Sequence, residues 1–339
     1  MVRTGLQYDV FVMNADGTGL VNLTDSLAYD DWRADLGGFG RRRRRQQPMK
    51  PGNHPLAFER AMTPFRSSLV CVLVAAVGAC HGDAVTNSPN PALASIHFVH
   101  AVPDTARMDF RVVDIVSQAG LFGAQFRDIT KFYVAIDAGT RRIRVFYDTT
   151  DVVIAQTVFS DTPYTYVQDQ SYTFIEAGFA RTGSTPSRAV WIVSDNAADP
   201  GAGNIGFRVI HAGAGLGNMD VFLIRHQADT LALSAPRATN VAYGAVGTYI
   251  AVPADTQTQT LRAVFTATGT TTPIVANVAL PAGTAGTPTT NPIAGATVAG
   301  SVMSAVFVPR SVAGSKAPAA FTTPSAVILV DKRPPDTTP

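Results

Sequence analysis

The sequence predicts an all-β protein: two tandem antiparallel β-sandwich (immunoglobulin-like) domains behind an N-terminal region of different character. Three observations predict this. Beyond residue 93, short runs rich in Val, Ile, Phe, Tyr and Thr alternate with clusters of Gly, Pro, Asp and Asn, the pattern of strands and turns. No stretch carries a sustained apolar stripe of helical period. The chain also repeats itself.

The repeat opens on Ile96-His97-Phe98-Val99-His100-Ala101 followed by Met108-Asp109-Phe110. This aligns with Phe207-Arg208-Val209-Ile210-His211-Ala212 followed by Met219-Asp220-Val221, at a constant offset of 111. Further landmarks keep the same order. Tyr133-Val134-Ala135-Ile136 matches Tyr249-Ile250-Ala251-Val252, and Ile143-Arg144 matches Leu261-Arg262. Val153-Ile154-Ala155 matches Ile274-Val275-Ala276, and Ala189–Val193 matches Ala326–Val330. The offset widens along the chain, as expected where loops lengthen and strands hold. The predicted domains are 94–195 and 205–331, joined by a linker at 196–204. Residues 281–300, rich in Ala, Thr, Gly and Pro, read as a surface excursion too poor in large apolar groups to pack. The tail 332–339 is expected to be disordered.

Composition narrows the function. Hydrophobic residues make up 46% of the chain and charged residues 15%. The net charge of +2 arises in residues 1–80, mainly from Arg41 to Arg45, because residues 81–339 carry 17 Lys and Arg against 18 Asp and Glu. The body therefore has no bulk charge to hold nucleic acid. Cys71 and Cys80 are the two cysteines. Both fall in the N-terminal region, so the body has no disulfide and no Cys-based metal site.

That region contains Met62-Thr63-Pro64-Phe65-Arg66, then the apolar run Leu69–Ala79, then Cys80. Basic residue, apolar run and small residues are the layout of a secretory signal, and the run is short of the roughly 20 residues that span a bilayer. The pair Gly78-Ala79 before Cys80 resembles the bacterial lipoprotein signal. That resemblance implies a signal peptide at 62–79 and lipid on Cys80, which becomes the first mature residue and the membrane anchor. It also implies a place in the cell envelope. His81 rather than Asp after the cysteine points by analogy to the outer membrane. Residues 80–93 then serve as a tether.

Upstream, Tyr8–Val12, the turn residues Asp16-Gly17 and the return Val21–Thr24 predict a hairpin. With Asp30-Asp31-Trp32, residues 8–36 resemble a single WD-like, Tol-type β-propeller repeat, which implies a propeller-repeat-like fragment at 1–36. One blade cannot bury its own faces. Residues 37–61 read as a disordered Arg-rich linker. Residues 1–61 are expected to lie upstream of the true start, Met62.

The body itself has a family likeness. His100-Ala101-Val102-Pro103-Asp104-Thr105-Ala106-Arg107-Met108-Asp109-Phe110 resembles the opening of a bacterial secreted domain family of unknown function, often found in tandem. His211–Val221 resembles it less closely, lacking the Pro-Asp pair. The resemblance implies two extracytoplasmic β-sandwiches and no established activity.

Few residues offer chemistry. His100 with Asp109 and His211 with Asp220 form the repeated polar pairs. Each is read either as structural, the histidine ending the first strand and bonding a loop carbonyl or the Asp, or as a ligand or metal site. One imidazole and one carboxylate are too few for a closed zinc site. Gly201-Ala202-Gly203-Asn204-Ile205-Gly206 has the spacing of a dinucleotide loop but leads into a strand, so it reads as linker. Glu176 is the sole Glu after residue 80. It shares a strand face with Tyr172 and Phe174 and, if buried, needs a partner such as Arg142 or Arg144. Tyr164, Tyr166 and Tyr172 suit either a binding face or cross-strand packing. No catalytic residue, metal or cofactor is expected. The expected function is a non-enzymatic binding or structural role for a lipid-anchored envelope protein, with an envelope protein or a glycan as partner. The alternatives are a metal- or ligand-dependent enzyme using the His/Asp pairs, and a propeller-related periplasmic scaffold.

Overall fold

The computed structural model describes residues 11–12, 21–22, 91–114, 119–225, 231, 234–255 and 261–338. Cys80, the signal region and the Arg-rich stretch lie outside the described residues. In the N-terminal unit, β1 (Phe11–Val12) and β2 (Val21–Asn22) pair antiparallel, with Phe11 opposite Asn22.

The body consists of two modules with the same strand plan. The first comprises β3 (Leu93–Ala101), β4 (Met108–Val112), β5 (Gly120–Ala124), β6 (Val134–Asp137), β7 (Gly139–Tyr147), a one-turn helix α1 (Val152–Ala155), β8 (Val158–Tyr166), β9 (Ser171–Ala177) and β10 (Ala189–Ser194). The second comprises β11 (Asn204–His211), β12 (Met219–Ile224), β13 (Ala238–Val241), β14 (Ile250–Pro253), β15 (Arg262–Ala267), β16 (Pro273–Ala279), β17 (Val302–Val308) and β18 (Ser325–Lys332). Sheet orders β10-β9-β3-β6 and β5-β4-β7-β8 recur as β18-β17-β11-β14 and β13-β12-β15-β16.

One feature departs from the expected antiparallel sandwich. β3 runs parallel to β9, and β11 parallel to β17. The chain between these neighbours crosses to the opposite sheet and returns, so no tight hairpin has to join them.

Period-2 alternation fills two kinds of core. Ile96 and Phe98 on β3 and Phe174 on β9 face Phe110, Ile143 and Val145 of the opposite sheet. Phe207, Phe307 and Phe265 do the same in the second module. The alternate residues Val99, Ala101, Ile175 and Ala177 pack instead on Ile210, Ala212, Val306 and Val308 of the second module. The two inner sheets are thus buried on both faces, which explains their near-continuous apolar runs. The result is four stacked layers. Chain entry at Leu93, the crossing at 195–203 and the end of β18 at Lys332 lie at one end of these sheets. The turns after β3, β9, β11 and β17 lie at the other.

The registers correct three repeat landmarks. Ser194 stands opposite Tyr172 as Val330 stands opposite Met303, so Val193 corresponds to Leu329, one residue from the Val330 match. Val145 stands opposite Phe110 and Phe265 opposite Val221, so Ile143 corresponds to Ala263, two residues from the Leu261 match. A two-residue shift keeps the same strand face and the same hydrophobic pattern, which is why sequence alone admits it. Val153–Ala155 lie in the exposed helix α1, whereas Ile274–Ala276 lie in β16, the counterpart of β8.

Two segments expected to be loose are tied down. Ala294, Ala296 and Val298 are buried, and the Asp255 amide donates to the Ala296 carbonyl at 2.7 Å. Small side chains suffice to close the end of the second core. In the tail, Asn291 Oδ1 accepts from the amides of Thr337 and Thr338 at 3.1 and 3.0 Å.

The shared inner face predicts joint unfolding: the body is expected to give one calorimetric transition. Val306→Glu, which drives a carboxylate into that face, is expected to cost about 3 kcal/mol or more and to split the transition. Two transitions in the unaltered chain would contradict the four-layer packing.

Candidate functional site

The predicted His/Asp pairs do not come together. His100 faces the sandwich interior, with no exposed surface. Its Nδ1 accepts from the Val102 amide at 3.3 Å, so Nε2 carries the proton and meets Thr105 Oγ1 at 3.3 Å. His211 repeats the device: Nδ1 accepts from Gly213 at 3.1 Å and Nε2 donates to the Gly217 carbonyl at 3.1 Å. Each imidazole closes the turn after the first strand of its module. Burial holds His100 down to about 4 and lowers His211 as well.

Asp109 and Asp220 lie on the outer sheets and serve a different turn. Asp109 Oδ1 accepts from Gly123 at 2.7 Å, and Asp220 Oδ1 from Asn240 at 2.8 Å. Gly123 and Asn240 both have positive φ, +59° and +50°, at a register shift opposite the Asp-bearing strand. Each carboxylate thus pins a bulge. The nine-residue spacing that recurs in the sequence marks two separate supports. Among the described residues, no three His, Cys, Asp or Glu are grouped as a metal site.

Glu176 is buried beside His100, its register partner on β3. Its partners are not those expected. Ser160 donates to Oε1 at 2.6 Å, and Arg188 Nε stands 3.8 Å away. Arg142 and Arg144 pair with Asp161 instead, because they point off the outer face of β7. Burial pushes the Glu176 carboxyl up to about 7, against the opposing pull of Ser160 and Arg188. In the second module the same positions hold Phe307 and Val275. Tyr164, Tyr166 and Tyr172 meet edge to face, at 5.0, 5.7 and 5.1 Å between ring centres. Tyr166 and Tyr172 are buried, so the trio is mainly packing.

A larger polar cluster lies between the modules. Arg208 of β11 pairs with Asp195 and donates to the Ser194 carbonyl at 3.0 Å, both from the first module. It also donates to Ser304 at 2.6 Å and stands 3.9 Å from Asp331. Tyr133 and Thr173 donate to Asp195 at 3.0 and 2.6 Å. Tyr249 donates to Asp331 at 3.0 Å, and Ser304 also donates to it. The two halves match position by position, with Thr173 in the place of Ser304 and His97 in the place of Arg208. His97 Nε2 meets the Val330 carbonyl at 3.2 Å, so it is the protonated nitrogen, and Nδ1 accepts from Thr130 at 3.0 Å. Burial, aided by repulsion from Asp195, pushes Asp331 up to about 7. Sequence reading missed this cluster. The signal was Arg208 itself, a lone cation within the apolar run Phe207–Ile210.

At the opposite end from chain entry, a cleft of about 1040 Å³ opens between the modules. Phe179 follows β9, Leu216 follows β11, and the loop 309–324 between β17 and β18 supplies most of the wall. Arg127 of the first module ties the neck of that loop, donating to the carbonyls of Pro309, at 2.6 Å, and of Thr323. Its guanidinium lies between Phe126 and Phe321, at 5.2 and 4.5 Å from the ring centres. The Val312 amide donates to the Pro103 carbonyl at 2.9 Å. Both modules are therefore needed to shape the cleft.

Residues 94–222 match the model of a domain of unknown function (DUF4397). The match spans the first module and continues to Phe222 in β12. No curated protein matches the chain. A solved structure titled "Alpha-glucan binding by a streptococcal virulence factor" is similar over 51% of this chain and 79% of that one, at 11% identity and a TM-score of 0.19. That likeness is too slight for its ligand to bear on this chain.

Two predictions follow from the buried charges. Glu176 holds its proton up to about pH 7 when folded and only to its ordinary 4.5 when unfolded, so its contribution is lost as pH rises through that window. Glu176→Gln is therefore expected to equal the parent near pH 4 and to exceed it at pH 8 by on the order of 3 kcal/mol, read by urea unfolding. Equal stability at pH 8 would refute the buried, raised carboxyl. Removing Arg208 leaves two buried carboxylates facing each other. Arg208→Met is expected to cost about 3–5 kcal/mol, with Arg208→Met/Asp195→Asn recovering part of it.

Proposed function

We propose that this chain is a lipid-anchored, non-enzymatic cell-envelope protein, one of a tandem secreted β-sandwich type, that presents a binding cleft away from its anchor. The observation that carries the reading is polarity. Chain entry at Leu93 lies at one end of the inner sheets, and the cleft formed by both modules opens at the other. A lipid on Cys80, followed by the tether to Leu93, would fix the entry end at the membrane, in keeping with an outer-membrane lipoprotein. The cleft would then face a soluble or surface partner. The histidines and aspartates that repeat in the sequence are committed to turns and bulges, which supports a binding rather than a catalytic role.

Mass spectrometry of the protein extracted from the membrane fraction tests the anchor. A diacylglyceryl-modified Cys80 at the mature N-terminus is expected, and Cys80→Ser should move the protein to the soluble fraction. An unmodified protein retaining residues 1–79 would overturn the reading.

A further inference from the structure

The chemistry of the cleft wall narrows its ligand. Among the described residues that line it, Arg310 is the one ionisable side chain. Arg310 is exposed and forms no ion pair or hydrogen bond among the described residues. Next to it, Ser311 Oγ is shielded from solvent and has no hydrogen-bond partner. The rest of the wall is aliphatic, aromatic or small: Phe179, Leu216, Val312, Ala317 and Phe321, with glycine, proline and short hydroxyl side chains. It holds no Asp, Glu, Asn, Gln, His, Tyr or Trp. A glycan site would need planar amide or carboxylate groups to pair with neighbouring hydroxyls, and a cationic ligand would need a carboxylate. Neither is present. A single unpaired cation on an otherwise apolar wall complements a ligand with an apolar body and one anionic head.

We propose that the cleft binds a single-chain anionic amphiphile. The carboxylate or phosphate head pairs with Arg310, and the hydrocarbon chain lies over Phe179, Leu216 and Phe321. The proposal rests on the reading of the module pair as a binder with its cleft at this end. The loop 309–324 supplies the head-group residue and much of the apolar wall, and Arg127 holds its neck closed.

The test is calorimetric titration of the purified protein with dodecanoate, dodecyl phosphate, dodecyltrimethylammonium and maltoheptaose, each amphiphile below its micelle concentration. Amide chemical shifts of 309–324 are followed in parallel. Dodecanoate or dodecyl phosphate is expected to bind and shift this loop, the tighter of the two marking the head group. Arg310→Gln is expected to weaken that binding about tenfold and Arg310→Glu further, without change in Tm. The cationic amphiphile should fail to compete. Equal binding of dodecyltrimethylammonium, or anion binding unmoved by Arg310→Glu, overturns the proposal. If maltoheptaose shifts the loop and neither anion does, the amphiphile assignment falls while the binder reading stands. If no probe shifts the loop, the amphiphile assignment falls and the cleft loses its support as the binding site.

Discussion

The ion cluster at Arg208 is the constraint on which the rest of the body depends. Two sheets that bury both faces need a reason to meet in one register, because aliphatic side chains alone tolerate sliding. Arg208 supplies it. It comes from the second module, yet it is satisfied by Asp195 and Ser194 of the first and by Ser304 and Asp331 of its own. One cation against two buried carboxylates leaves an excess negative charge, and the structure meets it with hydroxyl donors from Tyr133, Thr173, Tyr249 and Ser304 and with a raised Asp331. Such a cluster adds little net stability over an apolar one, but any displacement strands a charge. Its effect is to fix how the modules dock.

Duplication explains the form of that cluster, and divergence explains its asymmetry. Tyr133 and Tyr249, Thr173 and Ser304, Asp195 and Asp331 occupy corresponding places, as they would across a twofold axis in a dimer of one module. A strictly symmetric cluster would put a histidine or an arginine in both halves. With two histidines, the carboxylates would lack a permanent counter-ion. With two arginines, the centre would crowd two cations. His97 and Arg208 resolve this, because a neutral imidazole can bond the Val330 carbonyl without adding charge. The same asymmetry recurs at the far end of the cores. There the first module keeps Glu176 and Ser160 where the second packs Phe307 and Val275.

Much of this was legible in the sequence, within physical limits. Strand content and the all-β class follow from period-2 runs between turn residues. The partners of the repeated His and Asp residues do not. His100 and Asp109 lie nine residues apart in sequence but on different sheets, and each bonds a backbone amide, of Val102 and of Gly123, that carries no sequence label. The Leu261 match was wrong by two residues because a shift of two preserves every face. The loop 281–300 looked unable to pack because hydrophobic patterning undervalues alanine, yet Ala294 and Ala296 are buried. Asp195 closes the first predicted domain, and its buried partner Arg208 comes from the second module, a pairing that no local pattern signals.

The docking also decides where a site can form. Inner sheets covered on both faces and outer sheets braced by bulges leave the turns as the adjustable parts, and the turns at the entry end are occupied by the linker, the tail and the 281–300 loop. At the other end, Arg127 adopts a left-handed backbone at φ +77°, a conformation that disfavours a branched or long side chain. Its amide is held by the His100 carbonyl at 2.8 Å, and its guanidinium spans the neck of the 309–324 loop. His100, whose ring closes one turn, thereby positions the residue that closes another. The cleft wall thus hangs on a chain of contacts from the first strand of one module to the last loop of the other. It holds its shape only while Arg208 keeps the two modules in register.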